Sequence, residues 1–279
     1  MSDIAFGFQA APASAVHKSD QALYREVMDD CALCDRLGFD AAWLLEHHFS
    51  DYYPTPSPLL FMAHIAAAFP NLSLGTSVLV LPYLHPMALA KALATIDHLS
   101  RGRLIAGLGV GGLPEENEAL GVPYEGRGPW SDEFIEVMRT LWADGPATYQ
   151  GKHFTMDGLV AAPKPVRNNH VETWIGGGGA AARRRAARYA EGWHPLATLD
   201  SFAPRVPKMT EALAAEGRER SSLIIAPRVE VANLPDVAAV EAWRQAGADQ
   251  LIVNVGTRDV AELRAGLAHV AALSEGSQG

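Results

Sequence analysis

Residues 73–81 read SLGTSVLVL, residues 87–99 read MALAKALATIDHL and residues 104–108 read LIAGL. The first and last are short apolar runs without strict polar alternation, as expected of strands covered on both faces. The middle run has apolar residues at helical spacing. It follows Pro86, which favours a first helical turn and makes His85 the helix-entry residue. Strand, helix and strand in so short a span form a βα repeat. The same alternation extends outward in both directions. Strands are expected at Ile4–Gln9, Ala41–Glu46, Ser73–Leu81, Leu104–Leu108, Thr173–Gly176, Gly192–Leu196, Leu223–Val231 and Gln250–Val255. Helices are expected at Asp20–Leu37, Pro58–Phe69, Met87–Leu99, Ser131–Trp142, Ala180–Glu191, Ser201–Glu216, Val237–Ala246 and Val260–Leu273. Gly38, Gly192, Gly217 and Gly247 stand where helices would end. Eight such units predict an α/β fold, a (β/α)8 TIM barrel, with ligand chemistry on the loops at the C-terminal ends of its strands.

One segment breaks the alternation. Between Gly145 and Val171 the chain reads YQGKHFTMDG and then APKP, an inserted hairpin after the fourth strand within a single domain spanning residues 1–279. The 279 residues are 48% hydrophobic and 20% charged, which excludes disordered and fibrous classes. A formal net charge of -9 would repel a phosphate backbone and argues against nucleic-acid binding. No long uncharged apolar stretch suggests a membrane span, and MSDIAFGFQAAP has no basic region ahead of an apolar run, so a cytoplasmic protein is expected. Cys31 and Cys34 have the C-x-x-C spacing of a redox pair but fall inside a helical run, where they read as small apolar packing residues.

The strand ends hold the chemistry. The second strand closes in Glu46-His47-His48-Phe49, with Tyr52, Tyr53 and Pro54 just beyond. Imidazoles beside a carboxylate suit general acid–base work by at least one histidine; a metal site is the weaker alternative, because neighbouring strand residues face opposite ways. The fourth strand runs into GLGVGGLPEE at 107–116, which matches G-x-G-x-x-G. The motif falls in the fourth unit with no strand evident until Thr173, which argues against a dinucleotide fold. The fifth strand ends in Gly176-Gly177-Gly178-Gly179 and passes directly into a helix opening AAARRR, a backbone suited to cradling an anion at a helix N-terminus. Trp193 and His194 on the sixth strand, with Tyr83 and Leu113, are expected to line the same mouth, together with His48.

Taken together, LEHHF at 45–49, LGTSVLVLPYLHP at 74–86, DHLSRGRL at 97–104, GLGVGG at 107–112 and WIGGGG at 174–179 resemble the bacterial-luciferase-like flavin-dependent oxidoreductases. The likeness runs from Ile4 to about Leu199. It implies a barrel that binds a flavin, or the deazaflavin F420, across its C-terminal mouth. It implies that His47 is the catalytic histidine, or that His47 or Glu46 is the proton donor where F420 is used, and that Ser77-Val78 falls at a non-prolyl cis peptide under the cofactor ring. Gly109, Val110, Gly178, Gly179 and Ala180 fall where members hold the ribityl chain and phosphate; Gly176 and Gly177 open the same glycine run, whose backbone amides, with Arg183 or Arg184, would replace polar phosphate-holding side chains. The chain departs from the luciferase pattern at Val110 and at Gly178 and Gly179, where luciferase has an arginine and polar phosphate-holding side chains. The implied activity is monooxygenation of a small organic substrate by a homodimer, using dioxygen and reduced FMN from a separate flavin reductase. The alternatives are F420-dependent hydride transfer on the same fold, a non-catalytic flavin-binding barrel and a metal-dependent barrel hydrolase. The loop from Phe49 to Pro58 and the insertion at 145–171 are lid candidates.

Overall fold

The computed structural model describes residues 4–11, 19–49, 55, 57–257 and 259–276. Tyr52, Tyr53, Pro54 and most of the Phe49–Pro58 loop lie outside the described residues. The elements follow in order: β1 (Ala5–Gln9), α1 (Asp20–Arg36), β2 (Ala41–Leu44), α2 (Pro58–Ala68), β3 (Ser73–Thr76), β4 (Leu79–Val80), α3 (Pro86–Leu99), β5 (Leu104–Gly109), α4 (Pro114–Ala119) and α5 (Arg127–Trp142). After them come β6 (Ala147–Gln150), β7 (Thr155–Leu159), β8 (Glu172–Gly176), α6 (Ala180–Tyr189), β9 (Gly192–His194), α7 (Leu199–Phe202), α8 (Arg205–Ala215), β10 (Ile224–Ile225), β11 (Arg228–Glu230), α9 (Val237–Gln245), β12 (Gln250–Asn254) and α10 (Val260–Gly276).

The main sheet is parallel throughout, in the order β10-β9-β8-β5-β3-β2-β1-β12-β11, with β4 beside β5. Its two ends are the halves of one barrel strand. Ala226 and Arg228 donate backbone N–H groups to Trp193 and Pro195 on one side, and Pro227 accepts from Ile252 on the other. Pro227 has no N–H to donate, so the run read as one strand from Leu223 to Val231 is interrupted there. Pro204 in the same way splits the helix expected from Ser201 to Glu216 into α7 and α8. β6 and β7 form the antiparallel hairpin expected in the insertion.

Two cores result. Inside the barrel, Ala41, Trp43, Ile105, Trp174, Ala226 and Ile252 fill the lumen, and the indoles of Trp43 and Trp174 lie 4.8 Å apart. The larger core lies between strands and helices and includes Cys31 and Cys34, both buried free thiols whose pKa values burial raises. Gly38, Gly217 and Gly247 follow helices at positive φ. Gly192 does not end a helix. It sits within β9, where the Trp174 indole packs against the face that a side chain would occupy. Among the described residues no helix is long and apolar enough to cross a membrane.

Candidate active site

β2 ends at Leu44, so Leu45 to His48 leave the pleat and strand alternation no longer decides where they point. Glu46 is buried. Its Oε2 accepts the backbone N–H of Val80 at 2.6 Å, and its Oε1 meets Nε2 of His48 at 3.1 Å. That hydrogen bond raises the His48 pKa above its ordinary value, against the opposing effect of burial. His48 thereby turns toward Glu46 and the ring of Tyr83, 5.5 Å away, while Leu45, Glu46 and His47 line a cavity of about 590 Å³ at the C-terminal mouth of the barrel.

A second buried carboxylate closes this corner. Glu116, on α4, accepts the backbone N–H of His48 at 2.9 Å through Oε1, and the same oxygen lies 3.5 Å from Nδ1 of His47. Its Oε2 takes the hydroxyl of Tyr83 at 3.3 Å, and Tyr83 also donates to Oδ1 of Asn117 at 3.1 Å. Burial, with Glu116 nearby, pushes the Tyr83 phenol up, so it remains a donor. Glu116 did not emerge as a site residue from the sequence. The short helix that carries it was not expected, and an acidic pair after Pro114 reads as a solvated first turn.

The floor is built by the peptide Ser77–Val78, which is cis. Ser77 donates its backbone N–H to Leu44 O at 2.6 Å. The Val78 isopropyl group occupies the space that side chains at Gly109 and Gly176 would fill, so both positions exclude a Cβ. Val110, Gly111, Gly112 and Leu113 form one wall and Gly176, Gly177 and Gly178 the other. Gly179 caps α6 and Ala180 begins it, next along the chain from that wall. Arg183 returns its guanidinium to the carbonyl of Gly178 at 2.8 Å, whereas the guanidinium of Arg205 lies where a Gly178 side chain would project. His194 and Arg228 line the deep end of the cavity. Trp193 does not reach it: the indole N–H donates to Gly177 O at 2.8 Å and the ring stacks toward Phe202 in the outer core. Tyr83 stands behind the cavity wall, beside Gly111. Among the described residues no group of three or more His, Cys, Asp or Glu is placed to hold a metal ion.

A barrel mouth with a glycine-walled cleft, a cis Ser77–Val78 floor and a histidine backed by a buried carboxylate is the setting in which the family comparison is decisive. The model of the luciferase-like monooxygenases matches residues 4–276. The chain belongs to the luciferase-like monooxygenase family. Among its relatives is the oxygenase component of a flavin-dependent trigonelline monooxygenase from Acinetobacter baylyi, 31% identical over 163 residues, 57% of this chain and 44% of that protein. The chain spans about half the length of the first relatives it matches. The fold is shared with a monooxygenase from Streptomyces bottropensis at TM-score 0.87, with 20% identity over 99% of this chain and 100% of that one. It is shared too with an F420-dependent secondary alcohol dehydrogenase at TM-score 0.82, with 17% identity over 98% of each chain. This member of the luciferase-like family therefore shares its architecture with a monooxygenase and with an F420-dependent dehydrogenase.

Proposed function

We propose that this chain is a flavin-dependent monooxygenase that takes reduced FMN from a separate reductase and uses dioxygen on a small organic substrate. The observation that carries the reading is the cavity floor, where Val78 is seated between Gly109 and Gly176 in the cavity that His47 also lines. The residues fit such a cofactor. Side chains are absent at Gly109, Gly111, Gly112, Gly176, Gly177 and Gly178, which leaves a flat slot, and its volume lies in the range of small-ligand sites. The buried hydroxyl of Ser77 has no hydrogen-bond partner among the described residues. The ring would rest on Ser77–Val78, and the phosphate would lie at the Gly177–Ala180 turn ahead of α6 with Arg205 beside it.

Reduced FMN supplies the electrons that activate dioxygen; the protein supplies position, charge and dryness. The Glu116 carboxylate lies 3.5 Å from Nδ1 of His47 and would orient the imidazole for proton transfer in the cavity. Glu46 and His48 hold the turn that carries His47, through Val80. The hairpin of β6 and β7 is a lid candidate.

The test is anaerobic titration with reduced FMN and, separately, reduced F420, followed by mixing each complex with oxygenated buffer. Tight FMN binding with oxygen consumption supports the reading. Val110, Gly178 and Gly179, which carry no polar phosphate-holding side chain, favour the second reading, F420-dependent hydride transfer. Tight F420 binding without oxygen consumption would establish that reading instead.

A further inference from the structure

His194 is 4% exposed, and among the described residues neither of its ring nitrogens has a hydrogen-bond partner. The ring lies over the lumen core, 5.3 Å from Trp43 and 6.4 Å from Trp174, and neither indole N–H donates to it. Gly107 of β5 and Gly176 of β8 also border it, and side chains there, if present, would stand 3.5 and 3.4 Å from Nε2. The same Gly176 position borders Val78, so imidazole and isopropyl group form one continuous floor. Arg228 lines the cavity beside them. A neutral imidazole buried without a partner is costly, and such a group in a folded protein calls for a partner that the protein itself does not supply.

We infer that His194 and Arg228 form the subsite that receives the carbonyl-bearing, anionic end of the reduced cofactor ring. The inference rests on the flavin reading above. A guanidinium and an imidazole N–H are both donors, and together they select an electron-rich oxygen or nitrogen over a donor group. Burial and the Arg228 charge push the His194 pKa down to about 3, so the imidazole enters the subsite neutral and takes no part in proton transfer. Arg228 is then the charge that favours the anionic reduced ring over the neutral oxidised one.

The test uses the full chain with FMN and with lumiflavin, which has the same ring and no phosphate. His194→Phe and Arg228→Met should each weaken binding of both ligands by about tenfold, a loss of about 1.4 kcal/mol. His194→Gln, which keeps a donor, should recover part of that loss. In the unsubstituted protein the 15N ring signals of His194 should move when lumiflavin is added. Arg228→Met should also shift the midpoint potential of bound FMN to a more negative value. If the unsubstituted protein binds FMN, the variants bind it within about twofold of that affinity and the His194 signals stay still, the subsite is overturned and the flavin reading survives. If the unsubstituted protein binds neither FMN nor F420, the flavin reading fails and this subsite falls with it.

Discussion

Oε1 of Glu116 lies 3.5 Å from Nδ1 of His47 while it holds the backbone N–H of His48 at 2.9 Å, so a single buried oxygen meets the ring of one histidine and the backbone of the next. The contact spans 68 positions of sequence and joins the end of β2 to α4.

His47→Ala should lower turnover by about 10²- to 10⁴-fold, the range for loss of a general acid or base, with cofactor affinity nearly unchanged. Glu116→Gln keeps an acceptor for the His48 N–H but loses the charge facing His47. It should lower turnover less than His47→Ala and leave KM almost unaltered. Steady-state kinetics of both variants decide this. Unchanged turnover in His47→Ala would remove its catalytic role.

Arg205→Ala should weaken FMN binding by about tenfold or more, the scale of one lost charge-assisted hydrogen bond. Riboflavin, which has no phosphate, should bind the variant as it binds the unsubstituted protein. Arg183→Ala should have the smaller effect, because Arg183 already holds Gly178 O. Flavin fluorescence quenching measures all three, and equal losses for FMN and riboflavin would place Arg205 elsewhere than at the phosphate.

Gly107→Ala should destabilise the fold by about 3 kcal/mol, because its Cβ would overlap the backbone carbonyl of Thr76, which cannot rotate away as a side chain can. At Gly112 a Cβ meets nothing within 4 Å, and Gly112→Ala should be near neutral. Urea unfolding of the two variants gives the comparison. Equal midpoints would mean that β3 and β5 are not as close as they stand.

Two groups with raised pKa values both contribute less to stability as pH rises, in different pH windows. The His48 pKa is raised by its hydrogen bond to Glu46, so the stabilisation is full below the ordinary value of 6.5 and fades as pH rises through the higher folded-state value. The Tm deficit of His48→Gln should therefore be largest in mild acid and shrink above pH 6.5. The Asp30 carboxyl is raised mainly by burial, despite the hydrogen bond from Arg264 at 2.8 Å, so the folded state binds its proton more tightly than the unfolded chain. Stability from this group falls as pH rises above 3.8, and Asp30→Asn should gain in Tm relative to the unsubstituted protein between mildly acidic and neutral pH. Thermal melts across pH would show either trend or its absence.

Eight βα units, the inserted hairpin, the helix ends at Gly38, Gly217 and Gly247, and a cavity among the loops after the strands were all legible in the sequence. Hydrophobic period and glycine placement are local properties, set by residues a few positions apart. The partners in the site are not. Glu116 reaches His47 and His48 from another unit, Arg205 reaches the glycine turn from α8, and Arg228 joins His194 only because the barrel closes. Trp193 faces the outer core and His194 the cavity because adjacent strand residues point to opposite faces, and only the closed sheet decides which face is the lumen. The sequence by itself determined the repeat and the end of the barrel that carries the site. Tertiary structure decided which side chains meet there, because convergence of residues far apart in the chain depends on strand register and closure, which no local pattern encodes.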